Sequence, residues 1–381
     1  MDNTYQEILQ ELEKNGNLRK LPVAVHEGKW IVTDKRKMLN LSSNDYLGLA
    51  AENRLQEEFL SETKFADVPF TASSSRLLTG NFSVYTELEN WLSTWYGTEG
   101  ALIFNSGYHM NTGILPAVAD SNTLILADKL VHASLIDGIR LSAARCIRYR
   151  HHDYDQLKGL LEKYHNQYGQ LIIVTESIFS MDGDVSPLAQ LAELKKQYEN
   201  VLLYVDEAHA FGVRGNNGLG IAEEQHCIQD IDFLCGTFGK AAASVGGFLV
   251  CRKTIRDFLI NRMRTLIFTT ALPPVNIAWT LFILRRFSQW QERRQKLHSM
   301  SERLHMALQN KGYACPSESH IVPLTLGASQ KAIEAAERFQ RNGFYVLPVR
   351  PPTVPEGTSR LRFSLTAAVT DEELDRLIAL L

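Results

Sequence analysis

From about residue 50 to 265 the chain alternates amphipathic stretches of helical period with short, unbroken apolar runs. The runs include EGALIFNSG (99–107), NTLILAD (122–128), CIRYR (146–150), QLIIVTESIFS (170–180), NVLLYVDEAH (200–209), DFLCGTF (232–238) and GGFLVC (246–251). Strands that are apolar on both faces and separated by helices predict a mostly parallel sheet covered on both sides, an α/β domain. Before this region, Tyr5, Ile8, Leu9 and Leu12 share one helical face that Asn15-Gly16-Asn17 terminates. A strand pair follows around VAVHEG and KWIVT, with Lys35-Arg36-Lys37 as its solvated turn, and LNLSSNDYLGLA (40–50) reads as a crossing segment rather than a core element. Beyond Pro273-Pro274 one long helical pattern runs through Trp279, Leu284, Phe287 and Trp290 towards Leu308. The remainder mixes three strands with two helices, AIEAAERFQRNG and DEELDRLIALL. The expected organisation is an arm (1–45), a large α/β domain with a sheet of about seven strands (46–285) and a small α+β domain (286–381).

In a doubly covered parallel sheet, ligands sit at the carboxyl ends of the strands. The residues that follow each run are polar: Asn105 to His109, Asp128 to His132, Glu176 to Asp184, Asp206 to His209 and Thr237 to Lys240. Asp206 ends an apolar strand, where a carboxylate is costly unless something cationic meets it. Lys240 stands among glycine and alanine, with little to pair with and room for a flat ligand. A pyridinium nitrogen over Asp206, with Lys240 as Schiff-base partner of the same cofactor's aldehyde, accounts for both, and pyridoxal phosphate is the expected cofactor.

Composition narrows the alternatives. With 381 residues, 45% of them hydrophobic and 22% charged, the chain is ordinary for a globular protein, and a net charge of −3 gives no reason to expect nucleic acid. No apolar run approaches the roughly 18 residues a membrane span needs. The first residues, MDNTYQEILQELEKNG, are acidic and polar, unlike a secretion signal. Five cysteines without a Cys-x-x-Cys pair predict reduced thiols, and the cytoplasm is the expected location.

Several residues carry two readings. SGYHMNTG (106–113) opens a helix after a strand, either as a simple turn or as a phosphate site built from backbone amides, with Gly107 and Tyr108 beside it. His132 is either a helix-capping histidine or an imidazole stacked on the cofactor ring. His209 and Ser180 could reach the cofactor's phenolic oxygen, and Glu176 is structural or orienting. His151-His152-Asp153 suggests metal, but adjacent histidines on a strand point apart and no third ligand is evident, so no metal is expected. Arg350, before a Pro-Pro turn, suits bidentate capture of a carboxylate, while Arg360 and Arg362 read as structural ion pairs.

Taken together, SSNDYLGL (42–49), SGY (106–108), DKLVHAS (128–134), ESIFSMDGD (176–184), DEAH (206–209), TFGKA (237–241) and RPPTVPEGTSRLRFSLTAA (350–368) resemble the α-oxoamine synthases. These are fold-type I pyridoxal phosphate enzymes that join an amino acid to an acyl thioester. The resemblance implies that Lys240 carries the cofactor, Asp206 pairs with its ring nitrogen and His132 stacks on the ring. It implies that Ser180, His209, Thr237, Gly107 and Tyr108 contact the cofactor, and that Thr269 or Thr270 reaches the phosphate of a neighbouring subunit in a homodimer. Arg350 would hold the amino-acid carboxylate, with Thr353 near the substrate and Arg19 in the arm facing the acyl group. Within the family the arm and the RPPTVP turn point to L-alanine and a pimeloyl thioester as substrates; sister enzymes that take glycine or serine would share the site. One departure is Thr71-Ala72-Ser73-Ser74-Ser75-Arg76, where the family has a glycine-rich turn that is less stiff.

Overall fold

Seven of the apolar runs pair into one sheet in the computed structural model, which describes residues 2–64 and 68–381. From one edge the order is Gly100–Phe104, Gly247–Cys251, Phe233–Thr237, Val201–Asp206, Gln170–Glu176, Thr123–Asp128 and Arg145–Tyr149. Every neighbouring pair is parallel except those made by Gly247–Cys251, which is antiparallel to both of its neighbours. Leu124 to Ala127 and Leu171 to Val174 are wholly buried, so the central strands do not alternate between an inner and an outer face. The edge strand Arg145–Tyr149 does expose its arginines, as an unpaired edge requires.

The helices that cover this sheet are positioned by small residues and caps. Gly107–Val118 begins at Ser106, whose side chain accepts from His109 N at 3.1 Å. Ala133–Leu141 crosses it at Gly138, where a Cβ would stand 2.3 Å from the Asn111 carbonyl oxygen. Only glycine permits that approach, and it sets the starts of the two helices side by side beneath the strand ends.

The chain forms two compact units: residues 53–179 with 185–291, which contain the seven-stranded sheet, and residues 1–52 with 180–184 and 292–381. In the second unit Val25–Glu27, Trp30–Thr33, Arg36–Asn40 and Phe344–Tyr345 make a four-stranded sheet, so the N-terminal strands and the C-terminal region share backbone pairing. A three-stranded sheet of Ile321–Gly327, Ser359–Ser364 and Pro348–Val349 completes it. The final helix, Asp371–Ala379, starts with a capping box between Thr370 and Glu373. No helix among the described residues is long and apolar enough to cross a membrane.

Three local expectations are corrected. Lys35-Arg36-Lys37 is not a turn: Asp34 and Lys35, with φ of 49° and 61°, make it, and Arg36–Asn40 is a third strand. Buried Met38 and Leu39 draw the preceding basic residues into that strand, where Lys37 pairs with Glu27 at 2.8 Å. Residues 40–50 line a core, because Leu41, Tyr46, Leu47 and Leu49 are buried while Asp45 accepts from Leu49 N and Ala50 N at 2.9 and 3.1 Å. The long helical pattern after Pro273 breaks into Pro274–Leu284, a tight turn at Phe287–Trp290 and Gln291–Asn310. The three-residue turn of the middle piece brings buried Phe287 and Trp290 together, ring centroids 5.4 Å apart.

Candidate active site

At the carboxyl edge of the large sheet, Asp206 is the last residue of its strand and Lys240 lies just beyond Phe233–Thr237. Lys240 has a partner that the sequence did not suggest: its Nζ lies 2.8 Å from His209 Nε2. Asp206 is 5% exposed, and its two oxygens are held separately, Oδ1 accepting from Ala208 N at 2.9 Å and Oδ2 from Asn111 Nδ2 at 2.8 Å. His132 caps the Ala133–Leu141 helix, its Nδ1 accepting from Ser134 N at 3.2 Å and lying 2.7 Å from Ser134 Oγ. The helix-capping reading of His132 therefore holds, and it leaves Nε2 of the ring uncommitted to the cap.

Burial decides the charges here. It pushes the Glu176 carboxyl well above its usual range, with the nearby negative charge of Asp206 adding to the effect. Glu176 Oε1 accepts from His132 N at 2.5 Å, so it is an orienting group for the histidine turn. Glu207, next to Asp206, is buried and pushed up to about 7 by desolvation, although Ala222 N and Ile221 N donate to it at 2.7 and 3.1 Å. His132 is lowered, chiefly by burial and then by the positive charge of Lys240, against the opposing fields of Asp206 and Asp137. The buried thiols take no part: desolvation drives Cys227 and Cys251 up to about 12 and Cys235 well above its usual value, keeping them protonated and inert.

Beside this cluster the start of the Gly107–Val118 helix faces Thr237, whose Oγ1 would lie 3.7 Å from a Cβ on Gly107. Thr237 Oγ1 donates to Gly246 O at 2.8 Å and accepts from Gly239 N at 3.2 Å, fixing the turn that carries Lys240. Gly247 packs closely in the same place, since a Cβ there would stand 3.0 Å from Gly107 N. Tyr108 is half-exposed and donates to Asp137, which raises its hydroxyl above the usual value. Asn105 Nδ2 ties Thr270 O at 2.7 Å and Thr269 Oγ1 at 3.3 Å to the same strand end. The arrangement offers an amine, a fixed carboxylate, two imidazoles and a helix start lined by small residues.

A family profile described as aminotransferase class I and II matches residues 36–381. The chain belongs to that family. Among relatives, it is 53% identical over 385 residues to a protein of Haemophilus ducreyi named 8-amino-7-oxononanoate synthase, with 99% of each chain covered. Among solved structures, a serine palmitoyltransferase of S. paucimobilis with a bound PLP–myriocin aldimine superposes with a TM-score of 0.90 at 29% identity, covering 99% of this chain and 95% of that one. An 8-amino-7-oxononanoate synthase of Francisella tularensis superposes with a TM-score of 0.77 at 27% identity, covering 90% and 96%. The sheet with its fold-type I order and the single antiparallel strand is the family's fold in this chain.

In the other unit the candidate substrate residues gather at one turn. Arg19 Nη2 donates to Thr353 Oγ1 at 2.8 Å and to the Arg350 carbonyl at 3.5 Å, and Arg350 donates to the Gly16 carbonyl. Burial, then the charge of Arg19, lowers the Arg350 guanidinium from its usual value. Arg360 pairs with Asp182 as expected, whereas Arg362 is held by neutral groups, donating through Nε to the Ser180 carbonyl at 2.6 Å and through Nη1 to Ser364 Oγ at 2.6 Å. His151 and His152 do not point apart: they sit in a turn, His152 with φ of 56°, and their rings stack with centroids 4.1 Å apart while His151 Nδ1 lies 2.9 Å from Asp128. In the stiffened turn at 71–76, Ser73 adopts φ of 50° itself, with Thr71 Oγ1 accepting from its N–H at 3.2 Å. Asn111, Ser134, Tyr204 and Glu207 escaped the sequence reading. The available signal was polarity in the wrong place: Asn111 lies next to Met110 and near Ile114 on a helix otherwise filled with apolar core residues.

Proposed function

We propose that this chain carries pyridoxal phosphate on Lys240 and condenses L-alanine with a pimeloyl thioester, giving 8-amino-7-oxononanoate, carbon dioxide and the free thiol on the route to biotin. The observation that carries this reading is the cluster of Lys240, His209, Asp206 and His132 at one sheet edge. The cluster fits the cofactor: each Asp206 oxygen has one described donor and lone pairs left for a pyridinium N–H, and the small residues around Gly107 leave backbone amides for a phosphate. When bound, the cofactor supplies an aldehyde and an electron-accepting ring that make the amino acid's Cα proton removable and its carboxylate losable as carbon dioxide.

The protein's own groups do the rest. Lys240 would hold the cofactor, and its amine, when not so engaged, would take the Cα proton of alanine. His209, 2.8 Å away, keeps that amine placed. Asp206 would keep positive charge on the ring nitrogen, and His132 would lie against the ring. Gly107, Tyr108, Ser180 and Thr237 complete the cofactor contacts, and Arg350, with Thr353, captures the alanine carboxylate while Arg19 faces the acyl chain. The active form is a homodimer in which Thr269 or Thr270 reaches the phosphate of the other subunit. Exposed Leu141 and Phe268, 66% and 72% accessible, support a surface covered by such a partner. Unpaired thiols support the cytoplasm as the location.

A sister reading has one observation in its favour: the serine palmitoyltransferase superposes more closely than the oxononanoate synthase. The 53% identity to the oxononanoate synthase of H. ducreyi outweighs it, because backbone similarity within one fold does not select a substrate. Assay of alanine, glycine and serine against a panel of thioesters separates the two. Turnover confined to alanine with a pimeloyl thioester supports the proposal, and turnover confined to serine with a long acyl thioester, or glycine with an acetyl one, refutes it.

A further inference from the structure

The Asn111 side chain is 1% exposed and uses its whole amide group. Its Oδ1 accepts from the Tyr204 hydroxyl at 2.7 Å. The other end of the amide faces a carboxylate oxygen of Asp206, which only accepts, so that end is Nδ2 and the Tyr204 hydroxyl donates to Oδ1. Nδ2 then points both of its hydrogens at acceptors, Asp206 Oδ2 at 2.8 Å and Ser134 Oγ at 2.9 Å. A serine oxygen that accepts from Nδ2 has its own hydrogen to give, and the neighbour in reach is His132 Nδ1 at 2.7 Å. The backbone N–H of Ser134 also aims at Nδ1, at 3.2 Å, so two donors converge on that nitrogen. A nitrogen facing two donors carries no proton, and the ring's hydrogen must sit on Nε2. The direction of every bond in the chain Tyr204, Asn111, Ser134, His132 is thus determined, with Asp206 as its branch.

We propose that Asn111 is a positioning residue whose single amide group holds the Asp206 carboxylate and, through the Ser134 hydroxyl, locks His132 as the neutral tautomer protonated on Nε2. The inference rests on the reading that Asp206 and His132 face the cofactor, and it adds what keeps both of them in working form. Asp206 receives a second donor in a buried place where an unsatisfied carboxylate oxygen is costly. His132 offers a proton at Nε2 and cannot turn its ring over without breaking two bonds. The close crossing at Gly138 is what brings Asn111 and Ser134 together. The charged groups acting on His132 are Asp206, Asp137 and Lys240, with Glu176 bonded to its backbone N–H, so its titration reports on this network rather than on solvent.

Two measurements decide the matter. In cofactor-free protein labelled with nitrogen-15 in its histidines, and with the His132 signals identified from a His132→Gln sample, the wild type should show a protonated Nε2 and a bare Nδ1. Ser134→Ala removes one donor to the neutral ring and should raise the His132 titration midpoint by about half to one pH unit. In the second measurement, apo protein is titrated with pyridoxal phosphate and followed by its visible band. Asn111→Asp has the same shape but replaces two amide donors by a carboxyl that must share one proton with Asp206, so it should weaken cofactor binding about 10- to 100-fold and shift the pH profile of the band. Thermal melting of both variants shows whether they are folded, and Ser134→Ala alone suffices if Asn111→Asp is not. A wild-type His132 protonated on Nδ1, or an unchanged midpoint in Ser134→Ala, overturns the proposal, as does Asn111→Asp binding the cofactor like the wild type. If the wild type binds no pyridoxal phosphate, the functional reading falls, while the histidine spectra, recorded without cofactor, still decide the relay.

Discussion

The strand-end cluster around Asp206 and the turn that carries Arg350 both gather charged side chains, but they hold them with different materials. Asp206, Asn111, Ser134 and His132 have short side chains rooted in strand ends and helix starts, and their mutual bonds run from 2.7 to 2.9 Å. Arg19 and Arg350 reach from loops on long side chains, lean on backbone carbonyls and Thr353, and set like charges beside each other. In the first region the polar groups orient one another before any ligand arrives. The second leans on backbone carbonyls and one hydroxyl, and in the proposed function its guanidinium groups meet the substrate carboxylate. The difference is one of rigidity against adaptability: the strand-end groups are held by the sheet and the helix starts, the arginines hang on longer, softer side chains, and in the proposed function the first set does the chemistry while the second selects the substrate.

Substitutions can break this contrast, beginning with the largest effect. Lys240→Ala should cut exchange of the alanine Cα hydrogen with deuterated water about a thousandfold or more, even where pyridoxal phosphate still binds, as proton NMR would show. Arg350→Ala should raise the KM for alanine about 10- to 100-fold with little change in kcat, and Arg350→Lys should not restore it, because an ammonium lacks the paired donors. An equal fall in kcat would mean that the arginine turn is as much a part of the chemistry as the strand ends. Gly138→Ala forces a methyl against the Asn111 carbonyl and should lower stability by about 1–3 kcal/mol, read as a drop in Tm.

The smallest effect concerns Glu207. Its folded-state carboxyl stands at about 7 against an ordinary 4.5, so the folded protein binds this proton more tightly than the unfolded chain. Its contribution is complete below the ordinary value and is lost as pH rises through the raised one, with a slope of at most about 1.4 kcal/mol per pH unit. Glu207→Gln should therefore flatten the fall in Tm between pH 5 and 8, relative to the other side-chain contributions, which both proteins share. Parallel curves for wild type and variant would count against a protonated Glu207.

Much of the fold could be read from the chain because burial on both faces forces a strand to be apolar throughout, and the runs ending at Asp128, Glu176, Asp206 and Thr237 show this plainly. The residues just beyond them, Lys240, His209 and His132, were legible for the same reason, since a polar group after such a run has nowhere else to face. Asn111 was not, because its partners Asp206, Ser134 and Tyr204 lie 95, 23 and 93 residues away and meet only through helix packing. The Lys240–His209 contact was hidden likewise by a separation of 31 residues. The third N-terminal strand reads as a turn in the sequence because its first residues, Arg36 and Lys37, are exposed and basic, and their pairing depends on buried Met38 and Leu39.

Borohydride reduction of the protein incubated with pyridoxal phosphate, followed by peptide mapping, bears most directly on the account. The visible band should disappear on reduction, and the mass of the reduced cofactor should be found on Lys240, with Lys240→Ala remaining unlabelled. A protein that stays colourless with added cofactor, or one labelled at another lysine while Lys240 is unmodified, would contradict it.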